Sequence, residues 1–216
     1  MHEEVIDYSL YLVTDRELLG AKDLVQTIEE AIKGGVTVVQ AREKELSTLQ
    51  FFQVATLIKS ITQKYNIPFI VNDRADIALA VDADGLHIGQ EDMPLSVARK
   101  LLGSNKIIGV SVATLEEALF AQQEGADYLG IGAIFPTKTK GDATSVSLAE
   151  LKRIKDKVSI PVVAIGGINE NNIQKVMATG VDGAAVVSAI VACSNPCVAA
   201  QKLCQLLNNN EYYNQP

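Results

Sequence analysis

Eight short runs rich in β-branched residues recur along this chain, each followed by a longer stretch with helical periodicity or by the chain end. They are YLVTD (11–15), TVVQAR (37–42), PFIVND (68–73), GLHIG (85–89), KIIGVSV (106–112), YLGIGAI (128–134), PVVAIGG (161–167) and GAAVVSAI (183–190). Their average step of about 25 residues is the size of a compact βα unit. Stretches such as LVQTIEEAIKGG and TLEEALFAQQEG carry the helical period, and Gly34, Gly125 and Gly180 stand where helices should close. Near-continuous apolar strands suit a parallel sheet covered by helices. An open doubly wound sheet would place a Gly-rich turn after the first strand, but TDRELLG contains no G-x-G-x-x-G, and no P-loop occurs anywhere. The expectation is an α/β fold, a (β/α)8 TIM barrel, built as one domain over residues 1–216. Only ADIALAVDAD is left for a short helix between the third and fourth strands. The polar ends, 1–7 and 208–216, are expected to fray.

Composition narrows the function. A chain with 48% hydrophobic and 21% charged residues is a well-packed globule rather than a disordered one. Nineteen basic against twenty-six acidic residues give a net charge of −7, which argues against a nucleic-acid partner. A small anionic substrate is still compatible, because a few cations focused in one cleft outweigh a distant acidic surface. No run of about eighteen apolar residues is present, so no membrane span is expected. The acidic N-terminus does not look like a signal peptide, and a cytoplasmic location is expected. Cys193, Cys197 and Cys204 are odd in number and follow steps of four and seven, which predicts three buried residues on one helix face. They do not have the spacing of a zinc site.

Barrel active sites are assembled where strands end. Here those positions carry Gln40, Arg42 and Lys44, then Asn72, Asp73 and Arg74, then Gly89, Gln90 and Asp92. Ser111 closes the fifth strand, and FPTKTKGD after the sixth supplies Thr137, Thr139 and Lys140. After the seventh and eighth strands, Gly166–Gly167 and Val187–Ser188 suggest a phosphate site made of backbone N–H groups and a hydroxyl. Arg42 and Lys44 alternate and should point together into the mouth, with Lys140 across from them. Asp73 and Asp92 are spaced to share a Mg²⁺ that keeps several waters and binds substrate phosphates. Asp76 is expected to pair with Arg74, and Lys138 to face solvent. His87 sits mid-strand as a packed residue, and His2 lies in the terminus. The chain thus provides anion clamps but little general-base chemistry.

Taken in order, VTDR (13–16), VQAREK (39–44), NDRADIA (72–78), ADGLHIGQEDMP (83–94), IGVSVATLEEA (108–118), GADYLGIGAIFPTKTK (125–140), IPVVAIGGI (160–168) and GVDGAAVVSAI (180–190) resemble the thiamine-phosphate synthase family over nearly the whole chain. The resemblance implies a barrel that joins two phosphorylated heterocycles, a hydroxymethylpyrimidine diphosphate and a thiazole phosphate, with loss of pyrophosphate. By the same resemblance Gln40, Ala41, Arg42, Glu43, Lys44, Asn72, Ser111 and Lys140 hold the pyrimidine diphosphate. Thr137, Lys138, Thr139, Gly167, Val187 and Ser188 receive the thiazole phosphate, and Asp73 and Asp92 hold one Mg²⁺ per subunit. Lys140, Arg42, Lys44 and Ser111 carry the chemistry, with the 137–147 loop as a lid. Family members usually have Leu at Ala41, commonly His at Ala113 and often Gly near Ser147.

Two rivals follow from the same residues. A related thiazole tautomerase uses a base histidine after Gly132, where this chain has Ala133. A phosphate-ligand sensor without turnover would not require both the acid pair and the diphosphate clamp.

Overall fold

The computed structural model describes residues 6–137 and 145–208. Eight parallel strands close into a barrel in sequence order, the first pairing with both the second and the eighth. They are β1 (Leu10–Val13), β2 (Val38–Ala41), β3 (Phe69–Asn72), β4 (Gly85–Ile88), β5 (Ile107–Val112), β6 (Tyr128–Ile131), β7 (Val162–Ile165) and β8 (Gly183–Val186). Around them run α1 (Arg16–Leu19), α2 (Leu24–Lys33), α3 (Thr48–Lys64), α4 (Ala75–Ala80) and α5 (Leu95–Leu102). The outer ring continues with α6 (Leu115–Gln123), α7 (Leu148–Lys155), α8 (Ile173–Met177), α9 (Ser188–Val191) and α10 (Pro196–Asn208). Among the described residues no helix is long and apolar enough to cross a membrane.

Alternation along the strands separates two cores. Leu10, Leu12, Val39, Ala41, Val71 and Leu86 face outward into the layer shared with the helices. Tyr11, Val13, Val38, Ile70, Tyr128 and Val163 fill the barrel interior. At the rim where the strands begin, three acids act as stitches. Asp84, Asp127 and Asp182 accept from the backbone N–H of Phe69, Ile108 and Val162 at 2.8, 2.6 and 2.7 Å. Each bonds across to the preceding strand and pairs with a cation, Lys59, Arg99 or Lys155. Helix starts follow local capping chemistry, with reciprocal Ser47–Gln50 and Thr114–Glu117 capping boxes on α3 and α6.

The eighth apolar run divides where expected: the strand stops at Val186 and α9 begins at Ser188. Several expectations are corrected in detail. Arg42 and Lys44 lie beyond the end of β2, so a loop and not strand alternation aims them. Gly35, with φ of +108°, takes the left-handed position after α2, whereas Gly34 is still helical. The three cysteines do not share a helix: α10 starts at Pro196, which has no N–H with which to continue a preceding helix, and Cys193 falls before it. All three are half-buried thiols. Most of the polar ends, 1–5 and 209–216, lies outside the described residues; where the description starts, the Asp7 carboxylate accepts from Ser9 N–H at 2.9 Å and Tyr8 is buried against Tyr128.

The interior depends on a missing side chain. A Cβ on Gly109 would lie 2.1 Å from Cζ of Tyr128, whose ring is held by Tyr8 and whose hydroxyl is held by Tyr11 and His87. Gly109→Ala is therefore expected to destabilise the fold by about 3 kcal/mol, the upper part of the usual overpacking range. The denaturant midpoint, measured at unchanged m value, checks this.

Candidate active site

The strands open at their C-terminal ends into a cavity of about 590 Å³. It brings together Gln40, Arg42, Lys44, Asn72, Asp73, Asp92, Ser111, Thr137, Gly167, Val187 and Ser188, residues far apart in the chain. Ala41 is buried on the outward face of β2, so its side chain packs under the helices and does not line the cavity. Glu43 is likewise turned away, its nearly buried carboxylate 3.0 Å from Nε of Arg16. Lys138, Thr139 and Lys140 lie outside the described residues, as does most of the 137–147 loop.

On one wall, the loop after β2 is tied down by Arg42 N–H donating to Thr14 Oγ1 at 3.0 Å. The Arg42 guanidinium stands 3.9 Å from the carboxylate of Asp15, which also caps α1. Lys44 Nζ donates to Asp73 Oδ2 at 2.5 Å. Asp73 adopts φ of +61°, a left-handed conformation that aspartate and asparagine tolerate better than most residues, and its N–H donates to His87 O at 2.8 Å. Burial pushes the Asp73 carboxyl above its ordinary pKa; the neighbouring Asp92 carboxylate adds to this, and Lys44 opposes it. Asp92 is aimed by Gly89 N–H, which donates to its Oδ2 at 2.7 Å. Outside this wall, Arg74 pairs with Asp76 at 2.6 Å, as expected.

Asp73 and Asp92 pass a simple test for a hard cation. Two carboxylates held against each other in a partly desolvated wall, so that one of them resists ionisation, are relieved by a cation between them. Among the described residues no group of three or more His, Cys, Asp or Glu gathers as a cage. A pair of oxygen donors, completed by water and substrate phosphate, is the set that suits Mg²⁺.

The opposite wall is backbone. Gly166 and Gly167 take φ of +103° and +63°, and a Cβ on Gly167 would meet Pro136 O at 2.7 Å. Only glycine lets this turn lie so close to the loop after β6. Asn169 and Asn172 both donate to Gly167 O, at 3.2 and 2.9 Å, and hold the turn in place. Ala113 lines the cavity where family members commonly carry histidine, and Ser147, the third departure, caps α7 by accepting from Glu150 N–H at 3.1 Å.

Sequence reasoning missed the floor. Tyr11, Tyr128 and His87 line the bottom of the cavity, while Gln90, already marked at the end of β4, donates to Ser111 O at 2.7 Å. The available signal was period two: Tyr11 stands two residues before Val13, and His87 two after Gly85, all on inward positions.

The sequence matches the family model described as Thiamine monophosphate synthase over residues 10–190. It is 64% identical over 187 residues to the thiamine-phosphate synthase of Clostridium acetobutylicum, covering 87% of this chain and 89% of that one. With the thiamine-phosphate synthase of Clostridium tetani it shares 55% identity over 208 residues, 96% of this chain and all of that one. Among solved structures, thiamine phosphate pyrophosphorylase from Pyrococcus furiosus superposes with a TM-score of 0.87 at 43% identity, covering 95% and 98% of the two chains. With a match that spans all eight strands and every loop lining the cavity, the chain belongs to the thiamine monophosphate synthase family.

Proposed function

We propose that this protein is a transferase of thiamine biosynthesis, cytoplasmic and magnesium-dependent, which joins a hydroxymethylpyrimidine diphosphate to a thiazole phosphate and releases pyrophosphate. The observation that carries the reading is the division of the cavity into two anion-compatible walls. One bears Arg42 and Lys44 beside the Asp73–Asp92 pair, and the other is the glycine turn with Val187 and Ser188. A diphosphate and a monophosphate need that division.

In the reaction, the pyrimidine methylene–oxygen bond breaks and its electron pair leaves with pyrophosphate. The aminopyrimidine ring stabilises the resulting cation, and the thiazole nitrogen lone pair then forms the C–N bond. No protein nucleophile is consumed and no base is required. Arg42, Lys44 and Lys140 hold the charge that grows on the leaving group, so positioning and electrostatics carry the rate. Mg²⁺ held by Asp73 and Asp92 would supply further charge neutralisation there. Ser111 and Gln40 hold the pyrimidine, and closure of the 137–147 loop would keep water from the cation.

Ala133 lines the cavity where the tautomerase would carry its base, which favours the synthase reading. Incubation with both phosphorylated heterocycles and Mg²⁺, with pyrophosphate release as readout, tests the proposal. Release should require all three components. Tight binding of a phosphorylated heterocycle with no turnover would support the sensor instead.

The two walls can be separated. Ser188→Asp puts a carboxylate on the monophosphate side and should raise KM for the thiazole phosphate by roughly 10-fold or more, as expected for a like charge at an anion site. KM for the pyrimidine substrate should hardly change. Equal weakening of both substrates in steady-state kinetics would mean the walls are assigned to the wrong ligands.

A further inference from the structure

Beneath the cavity runs a continuous chain of polar side chains within the barrel interior. Gln40 Nε2 donates to Tyr11 Oη at 2.8 Å, and Tyr11 Oη lies 2.7 Å from Tyr128 Oη. Tyr128 Oη lies 2.9 Å from His87 Nδ1, and His87 Nε2 lies 2.8 Å from Ser111 Oγ. The two ends of the chain, Gln40 and Ser111, are both residues assigned above to the pyrimidine substrate. The barrel makes room for this chain. A Cβ on Gly109 would strike the Tyr128 ring, and one on Gly130 would lie 3.0 Å from His87 Cε1.

The hydrogen count gives the chain a direction. Burial drives both phenols well above their ordinary pKa, so each keeps one proton and can donate once. Tyr11 accepts from Gln40. With the Gln40 amide turned so that Nε2 faces Tyr11, accepting also from Tyr128 would leave the Tyr11 proton with no acceptor among the described residues, which native interiors avoid. Tyr11 therefore donates to Tyr128, and Tyr128 donates to His87 Nδ1. His87 must then carry its proton on Nε2 and donate to Ser111 Oγ. Ser111 accepts inside the protein and has its own proton to offer the cavity.

We propose that Tyr11 and Tyr128 are positioning residues that form a one-way hydrogen-bond relay from Gln40 to Ser111, locking His87 as the Nε2–H tautomer and presenting the Ser111 hydroxyl as a donor to an acceptor atom of the pyrimidine substrate. The substrate end of this inference rests on the proposed function; the relay itself does not. Its effect is on specificity: a rigid donor at Ser111 and a fixed amide at Gln40 frame the heterocycle from two sides.

The tautomer is measured directly by ¹⁵N NMR of the imidazoles in the substrate-free protein. The chain has two histidines, and a His2→Gln variant leaves one signal to assign. The native His87 ring should be neutral with its proton on Nε2. A proton on Nδ1, or fast exchange between both, overturns the relay without any core variant being needed.

Tyr128→Phe keeps the ring and removes the link. It should move the His87 proton wholly or partly to Nδ1 and raise KM for the pyrimidine substrate roughly 10-fold, the size of one misdirected hydrogen bond. KM for the thiazole phosphate should stay the same. In a Ser111→Ala background the same change should cost less than ~2-fold more, because both act through one link. Independent, multiplying effects of the two substitutions would refute the positioning role. If the native protein shows the expected tautomer but no pyrophosphate release, the proposed function fails while the relay stands.

Discussion

Replacing Asp73 or Asp92 by asparagine should cut turnover at least ~100-fold, the typical loss when one preorganised charge-stabilising element is removed. The substitution is chosen to spare the fold. Asparagine tolerates the left-handed backbone of position 73, and at position 92 its carbonyl can still accept from Gly89 N–H. Stability should move the other way. For Asp73, burial and the adjacent Asp92 raise the folded-state pKa, so the folded state favours the protonated form. The stability linked to this group is fully present below its unfolded pKa and falls as pH rises through the folded one. At neutral pH the neutral Asp73→Asn side chain removes that strain, and the metal-free variant should melt higher than the parent. Steady-state rates across a Mg²⁺ titration, together with thermal melts in a chelator, check both halves. Near-normal rates at limiting Mg²⁺ would remove the metal assignment.

Lys140→Ala should lower kcat by roughly 10²–10³, about 3–4 kcal/mol of transition-state stabilisation, with a small change in KM. The family resemblance places this lysine at the leaving group, and Thr137, the last described residue before it, lines the cavity. A cation that engages pyrophosphate mainly as the C–O bond stretches acts on kcat and leaves ground-state binding alone. Lys138→Ala, two residues away, is the internal control: its residue context points it to solvent and the resemblance places it on the thiazole phosphate side, away from the leaving group, so kcat should be nearly unchanged. Pre-steady-state pyrophosphate release separates chemistry from product departure in both variants. An unchanged kcat for Lys140→Ala, or an equal loss at Lys138, would overturn the division of roles.

How far the site was legible depended on which way each residue communicates its role. Charge and glycine are visible in one dimension: Asp73, Asp92, Arg42 and the Gly166–Gly167 turn stand at strand ends, and the fold gathers them around one cavity. Ala41 and Glu43 belong to the same motif in sequence, yet one packs outward and the other pairs with Arg16. A motif carries residues kept for packing together with those facing the ligand, and only the strand's end point tells them apart. The half-buried cysteines show the same limit. Steps of four and seven predict a shared helix face, but Pro196 starts a new helix between the first and second.

What the sequence by itself determined was the eightfold βα rhythm, the closed parallel barrel and the end of it at which the cavity opens. Those depend on local periodicity, on helix caps such as Ser47–Gln50 and Thr114–Glu117, and on polar residues that recur at strand ends. Tertiary structure alone decided the floor. Tyr11, Gln40, His87, Ser111 and Tyr128 come from five different strands; Gln40 and Ser111 stand out at strand ends, but Tyr11, His87 and Tyr128 each look like an ordinary strand residue in their own runs. They become a connected chain because closing the barrel turns every second side chain toward a common axis. There, burial leaves a polar group only its neighbours to bond with.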